Sequence, residues 1–291
     1  MTYFRQNLPL LLIVSILASN IYPAKSEGDV IKDGTVQNRV ASMNAFPSVL
    51  PNAGCFGAGI RIPRVEGAFA VIATDNVGGV YLAYQSYWID NSGDPYMHVY
   101  SAYSHDYGRS WSESFRIDDS GSSSVQCDSP SIAVDQSSGS IFVAWKDNRT
   151  GVAKVYVDRS VDRGVSFGSD VSVYDWPYDQ VAMGLPRTVN IEVDDSGRVY
   201  VAWIAYYGYS YTDCDIFLAQ SIDGGQTFNN PTIVNPDEGE ARLAHPWIAV
   251  DGENVVYVAY SRRNSTSSVV CLSRSVNGGS SFDVPTKVND D

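Results

Sequence analysis

A chain of 291 residues, 44% hydrophobic and 18% charged, carries enough apolar material for a sizeable core, which excludes disorder as its general state. A formal net charge of −13 excludes a nucleic-acid footprint, because phosphate binding needs clustered lysine and arginine. With 19 tyrosines and 24 glycines against only 4 methionines, the composition favours strands joined by tight turns.

The first 26 residues read as a signal peptide: Arg5 is weakly basic, Leu8 to Ala18 is a short apolar stretch, and Ala24-Lys25-Ser26 places small residues at a cleavage site. The expected product is secreted or held at the cell surface, with a lead-in segment over residues 27–59. No later stretch reaches the roughly 18 apolar residues of a membrane span, so none is expected in the mature chain. Cys55, Cys127, Cys214 and Cys271 allow two disulfides in an oxidising compartment or four free buried thiols, and the sequence leaves both open. No C-x-x-C pair occurs, and His98, His105 and His245 are scattered singly, so no metal site and no cofactor are expected.

From residue 60 onward the chain repeats itself. The segments SHDYGRSW (104–111), SVDRGVSF (160–167), SIDGGQTF (221–228) and SVNGGSSF (275–282) share one pattern, S-x-D-x-G-x-S/T-W/F. Ahead of each stands an apolar strand ending in a small residue and an aromatic, as in Val199-Tyr200-Val201-Ala202-Trp203. Ahead of that, a proline (Pro63, Pro130, Pro186, Pro246) leads an apolar stretch into an acidic turn at Asp75, Asp135, Asp194 or Asp251. Each unit of roughly 55–60 residues therefore reads as four antiparallel strands, the pattern of a propeller blade. The expected fold is an all-β propeller over residues 60–291, with blades near 60–119, 120–179, 180–237 and 238–291. Within each box Asp106, Asp162, Asp223 and Asn277 can accept backbone N–H bonds, and the glycine allows the positive φ of a tight turn. Trp111, Phe167, Phe228 and Phe282 are expected to fold back onto the hairpin as apolar plugs.

These boxes, with Pro-x-Ile-Ala-Val-Asp and the Val-Tyr-Val-Ala-Trp strand, resemble the BNR/Asp-box repeats of the sialidase superfamily. The resemblance covers nearly all of the mature chain and implies boxes on the outer rim, away from a central site. A sialidase propeller has six blades; four repeats here imply either part of a longer propeller or a four-bladed form. The resemblance also implies roles for single residues. Arg61-Ile62-Pro63 matches the family's Arg-Ile-Pro motif, so Arg61 would hold a sialic acid carboxylate. Asp94, or alternatively Asp90, falls where the acid/base aspartate would lie. Arg187, Arg242, Arg262 and Arg263 are candidates for two further arginines, while Glu66, Glu192, Glu238 and Glu240 supply no recognisable Tyr–Glu nucleophile pair.

Other features point to surfaces. Trp145-Lys146-Asp147-Asn148-Arg149 reads as a loop fixed by an Asp147–Arg149 contact. Asn148-Arg149-Thr150 and Asn264-Ser265-Thr266 are glycosylation sequons. Aromatics gather at Tyr87-Trp88, Trp176-Pro177-Tyr178 and Tyr206 to Tyr211; Trp88, Tyr207 and Tyr209, with Arg187, are the candidate ligand contacts. The leading expectation is a propeller that binds a glycan or an extracellular protein. The alternative is an exo-α-sialidase with part of its site in further blades.

Overall fold

The computed structural model of the protein describes residues 67–89, 95–121, 125–175, 188–206, 214–236, 241–263 and 267–289, all within the compact unit Ile60–Asp291. They form four antiparallel meanders. The first sheet is β1 (Gly67–Thr74), β2 (Val80–Ile89), β3 (Pro95–Ser104) and β4 (Phe115–Arg116). The second is β5 (Cys127–Val134), β6 (Ile141–Asp147), β7 (Lys154–Ser160) and β8 (Val171–Ser172). The third is β9 (Val189–Val193), β10 (Val199–Tyr206), β11 (Cys214–Ser221) and β12 (Thr232–Ile233). The fourth is β13 (Arg242–Val250), β14 (Val256–Arg263), β15 (Ser268–Ser275) and β16 (Thr286–Lys287). Successive sheets stack through their first strands, and the architecture is the β-propeller that the repeats predict.

The core lies in the seams between sheets. In β10, Val199, Val201 and Trp203 face the second sheet, while Tyr200, Ala202, Ile204 and Tyr206 face the fourth. A strand covered on both faces needs an uninterrupted apolar run, and VYVAWIAY is one. Residues on the two outward sheet faces are less covered: Ile72 in the first sheet is 58% exposed and Trp247 in the fourth is 54% exposed.

The first strand of three sheets carries a bulge of one design. Register breaks between Ala68 and Val71, Asp128 and Ser131, and Ala244 and Trp247, each around a residue of positive φ: Phe69 (52°), Ser129 (56°) and His245 (54°). Pro130 and Pro246 follow two of these, five residues before the turn aspartate; the same count reaches Ala70 in the first sheet and Val189 in the third. The repeated proline is thus a feature of the second and fourth sheets, and Pro63 and Pro186 fall outside that register and the described residues. Next to the bulge, side chains of one sheet cap backbone N–H groups of the next. Gln85 Oε1 accepts from Ser129 N (3.2 Å), Ser131 Oγ from Ile191 N (3.2 Å) and Asn190 Oδ1 from Ile248 N (2.8 Å). Innermost strand edges would otherwise leave these donors unpaired.

The four Asp boxes form one turn, repeated. The residue before the conserved-pattern glycine and the glycine itself both have positive φ: Tyr107 and Gly108, Arg163 and Gly164, Gly224 and Gly225, Gly278 and Gly279. Two consecutive left-handed residues define the tight hairpin turn whose twist matches the strands. In the second box Asp162 Oδ1 accepts from Ser166 N (2.9 Å) and Ser160 Oγ (2.8 Å), Asp162 Oδ2 from Ser166 Oγ (2.6 Å), and Ser160 Oγ from Gly164 N (2.8 Å). The hydrogen bond from Ser166 is the main reason Asp162 is held down at about 2. In the fourth box Asn277 Oδ1 accepts from Ser281 N (3.0 Å), but Asn277 Nδ2 donates to Ser281 Oγ (2.9 Å), reversing one bond and keeping the turn.

The plugs differ from expectation. Phe167, Phe228 and Phe282 pack across the seam into the core shared with the preceding sheet, rather than only onto their own hairpins. Trp111 alone keeps the local arrangement, its Nε1 donating to Gly108 O at 3.2 Å. In the fourth box contact adds to φ: a Cβ on Gly279 would stand 2.6 Å from Leu218 of the third sheet, whereas one on Gly108 would meet nothing. Because Asn serves in one box, Asp162→Asn is expected to cost less than about 1 kcal/mol, and Asp162→Ala about 1–2 kcal/mol through the donors left without an acceptor. Urea unfolding midpoints of the two variants measure the difference.

Candidate functional site

The hairpin turns and the boxes occupy one end of the sheets. Tyr107 N donates to Gly78 O (2.9 Å), Gly278 N to Asn254 O (3.1 Å), and Arg163 of the second box pairs with Asp75 of the first sheet at 2.7 Å. Burial would raise the Asp75 carboxyl, but bonds from Tyr81 and Arg163 hold it at about 2. This end is filled with turn chemistry. The opposite end gathers the ends of β2, β6, β10 and β14 and the starts of the first and third strands, and there the remaining polar side chains concentrate.

At that end the seam between the first and second sheets is polar. Asp118 follows β4 and accepts from Val99 N (2.9 Å); Asn235 does the same for Ile216 N (2.7 Å) and Asn289 for Val270 N (2.6 Å). This is a further repeated element, legible as I-D, V-N and V-N after the outer strand only once the blades are counted from their boxes. Asp118 has additional partners: Arg116 at 2.9 Å, His98 Nδ1 at 3.0 Å and the Ser120 hydroxyl. Burial would raise the carboxyl, but His98 and Ser120 outweigh it and hold Asp118 at about 2. Cys127 at the start of β5 donates its thiol to Asp147 Oδ2 at 3.1 Å. Burial first, then the negative Asp118 and Asp147, push that thiol far up, so it is no nucleophile as it stands.

Asp147 closes the loop predicted from the sequence. Arg149 donates from its backbone N and its Nε to Asp147, at 2.7 Å each, and its guanidinium reaches Asp170 (2.5 Å) while lying 4.4 Å over the Tyr156 ring. Across the seam Asp119 N donates to the Asp170 carboxylate at 2.8 Å and Asp170 N to the Asp119 carboxylate at 3.1 Å. Burial raises Asp170 to about 6 and Asp158 to about 7, and the neighbouring carboxylates add to the rise of Asp158. Asp158 Oδ2 has no hydrogen-bond partner.

The sequence-derived site residues fall unevenly. Arg61, Asp94, Asp90, Arg187, Tyr207 and Tyr209 lie outside the described residues, as do Glu66, Glu238 and Glu240. Trp88 sits in β2 opposite Tyr96, and its neighbour Tyr87 is 53% exposed. Tyr206, by contrast, is buried in the seam between the third and fourth sheets and offers no binding surface. Arg242 and Arg263 are exposed and stand directly opposite one another on β13 and β14. Among the described residues Cys127, Cys214 and Cys271 are buried. The histidine that looked scattered is not isolated: His98, Asp118 and Cys127 offer ligand atoms within 4.8 Å of one another.

No family model matches the chain, and no curated protein matches it. Solved structures do. A protein of unknown function from Dyadobacter fermentans superposes with a TM-score of 0.56 at 19% identity, covering 76% of this chain and 68% of that one. The NanB sialidase of Streptococcus pneumoniae gives 0.55 at 11% identity, over 77% of this chain and 52% of its own. An α-L-arabinofuranosidase of Fusarium graminearum gives 0.56 at 10% identity, over 76% and 66%. The chain thus spans about half the length of that sialidase. The fold is that of a sialidase-type β-propeller.

The raised carboxyls give a pH dependence. Asp158 binds its proton more tightly folded than unfolded, so its contribution is fully present below about pH 4 and is lost as pH rises to about 7. Melting temperature is expected to fall across that window, and Asp158→Asn to flatten the fall and melt higher than the parent at pH 8.

Proposed function

We propose that the protein is an exported glycan-binding propeller that takes acidic sugars at the sheet ends opposite the Asp boxes. The observation that carries this reading is the cross-strand pair of Arg242 and Arg263 in a chain of net charge −13. Like charges directly opposite destabilise a sheet, and a carboxylate received by two guanidinium forks removes that cost. The exposed ring of Tyr87, at the same end of the first sheet, is a face on which a sugar can stack. The neighbours whose names carry an activity are sialidases, a trans-sialidase and an arabinofuranosidase, which supports a carbohydrate ligand over a protein one. Among the described residues no helix is long and apolar enough to cross a membrane, and residues 1–26 carry the expectation of export.

Catalysis is the second reading, favoured by Arg61-Ile62-Pro63: an exo-α-sialidase with Arg61 on the substrate carboxylate and Asp94 as acid/base. One set of experiments separates the two. Binding to immobilised sialylated and neutral glycans is expected to favour the sialylated set, with Arg263→Ala weakening it about 10- to 100-fold, the worth of a charge-assisted contact. Equal binding to neutral glycans, or affinity unchanged by Arg263→Ala, contradicts the proposal. Release of a fluorogenic aglycone that Asp94→Asn abolishes moves the assignment to the enzyme.

A further inference from the structure

We propose that His98, Asp118 and Cys127 form a binding site for a divalent transition cation of the zinc class, clipping the first sheet to the second. The three ligands are an imidazole nitrogen, a carboxylate oxygen and a thiol sulfur from three segments: β3, the residues after β4, and the start of β5. That mixture suits zinc, which binds all three donor types. All three residues are buried, at 5%, 4% and 0% exposure.

The internal repeat shows that the fold itself does not call for these residues. The cap made by Asp118 is made by the neutral amides of Asn235 and Asn289 in the third and fourth sheets. The strand position of His98, just before the residue so capped, holds Lys154, Asp215 and Val269 in the other sheets. The position of Cys127, eight residues before the turn aspartate, holds Gly67 in the first sheet and Leu243 in the fourth. Three ligand types therefore coincide at one seam, each where the counterparts named carry a different side chain.

The Ser120 hydroxyl stands among the three ligand atoms. Ser120 Oγ bonds Asp118 Oδ1 and lies 3.3 Å from His98 Nδ1 and 3.8 Å from Cys127 Sγ. A tetrahedral zinc holds ligand atoms about 3.3–3.8 Å apart, so rotation of the Ser120 hydroxyl and a modest inward shift of the thiol bring the three protein ligands into range and leave the fourth position to water. Asp147, 3.1 Å from the thiol and locked by Arg149, is the outer partner that orients it. Asp118 and Asp147 both face this thiol, so a cation placed beside the sulfur meets two carboxylates. On binding, the S–H bond breaks and its proton leaves to solvent as the metal–sulfur bond forms. The hydrogen on His98 Nδ1 that bonds Asp118 without a cation is given up through solvent, leaving the ring hydrogen on Nε2 and the Nδ1 lone pair on the metal.

The test uses the full chain, stripped with EDTA under a phosphine reductant and titrated with Co²⁺, then Zn²⁺. One equivalent of Co²⁺ is expected to produce a thiolate-to-metal charge-transfer band in the near ultraviolet, displaced by Zn²⁺. Cys127→Ser should abolish the band. Asp118→Asn, which keeps the cap that Asn235 shows to be sufficient, should fold normally and bind at least 10-fold more weakly. At one equivalent, Zn²⁺ should raise the melting temperature of the parent more than that of either variant. No charge-transfer band in the folded parent, a band that survives Cys127→Ser, or equal Co²⁺ affinity in Asp118→Asn overturns the assignment.

Discussion

Every sheet of this molecule depends on the one before it. A four-stranded sheet this short buries neither of its faces alone, so VYVAWIAY and its counterparts gain burial only where sheets stack. The stacking is fixed at two levels. Along the inner strands, Gln85, Ser131 and Asn190 each hand an acceptor to a backbone N–H of the following sheet. At the turns, the box glycines of one sheet sit against side chains of its predecessor: Gly164 on Tyr81, Gly225 on Phe142 and Gly279 on Leu218. Both devices point from one sheet to the next in the same sense, which sets the handed order of the blades.

This arrangement divides the molecule by end. The box end is held by hydrogen bonds within and between its turns, including the Arg163–Asp75 pair and the contact of Arg198 with Asn254. Polar side chains there serve turns and seams, while the second residues of three boxes, Val161, Ile222 and Val276, stand exposed. At the other end the strand termini carry groups that the seams do not use in common: the acid and thiol of the first seam, Lys146 paired with Asp128 at 2.6 Å, and the arginines of β13 and β14. At these positions otherwise equivalent blades carry different side chains.

Much of the fold was legible because its signals are local and repeated. The box needs Asp or Asn, Gly and a hydroxyl at fixed offsets, and Asn277 could be read as a conservative replacement from its acceptor alone. The seam contacts of Phe167, Phe228 and Phe282 were not legible, since an aromatic at a turn looks the same whether it covers its own hairpin or the neighbour. The Asp147–Arg149 contact spans two residues and was read correctly. The cluster of His98, Asp118 and Cys127 was missed because its members lie on different sheets and become neighbours only through stacking. Counting each blade from its turn aspartate, rather than from its proline, was the signal that separated Pro130 and Pro246 from Pro63 and Pro186.

The division between a structural end and a binding end is the claim on which the rest stands. Hydrogen–deuterium exchange of the full chain with and without 3′-sialyllactose tests it most directly. The account predicts added protection at the ends of β2 and β14 and the starts of β3, β13 and β15, with the four Asp boxes unchanged. Protection centred on the boxes, or no protection anywhere in the sheets, would contradict it.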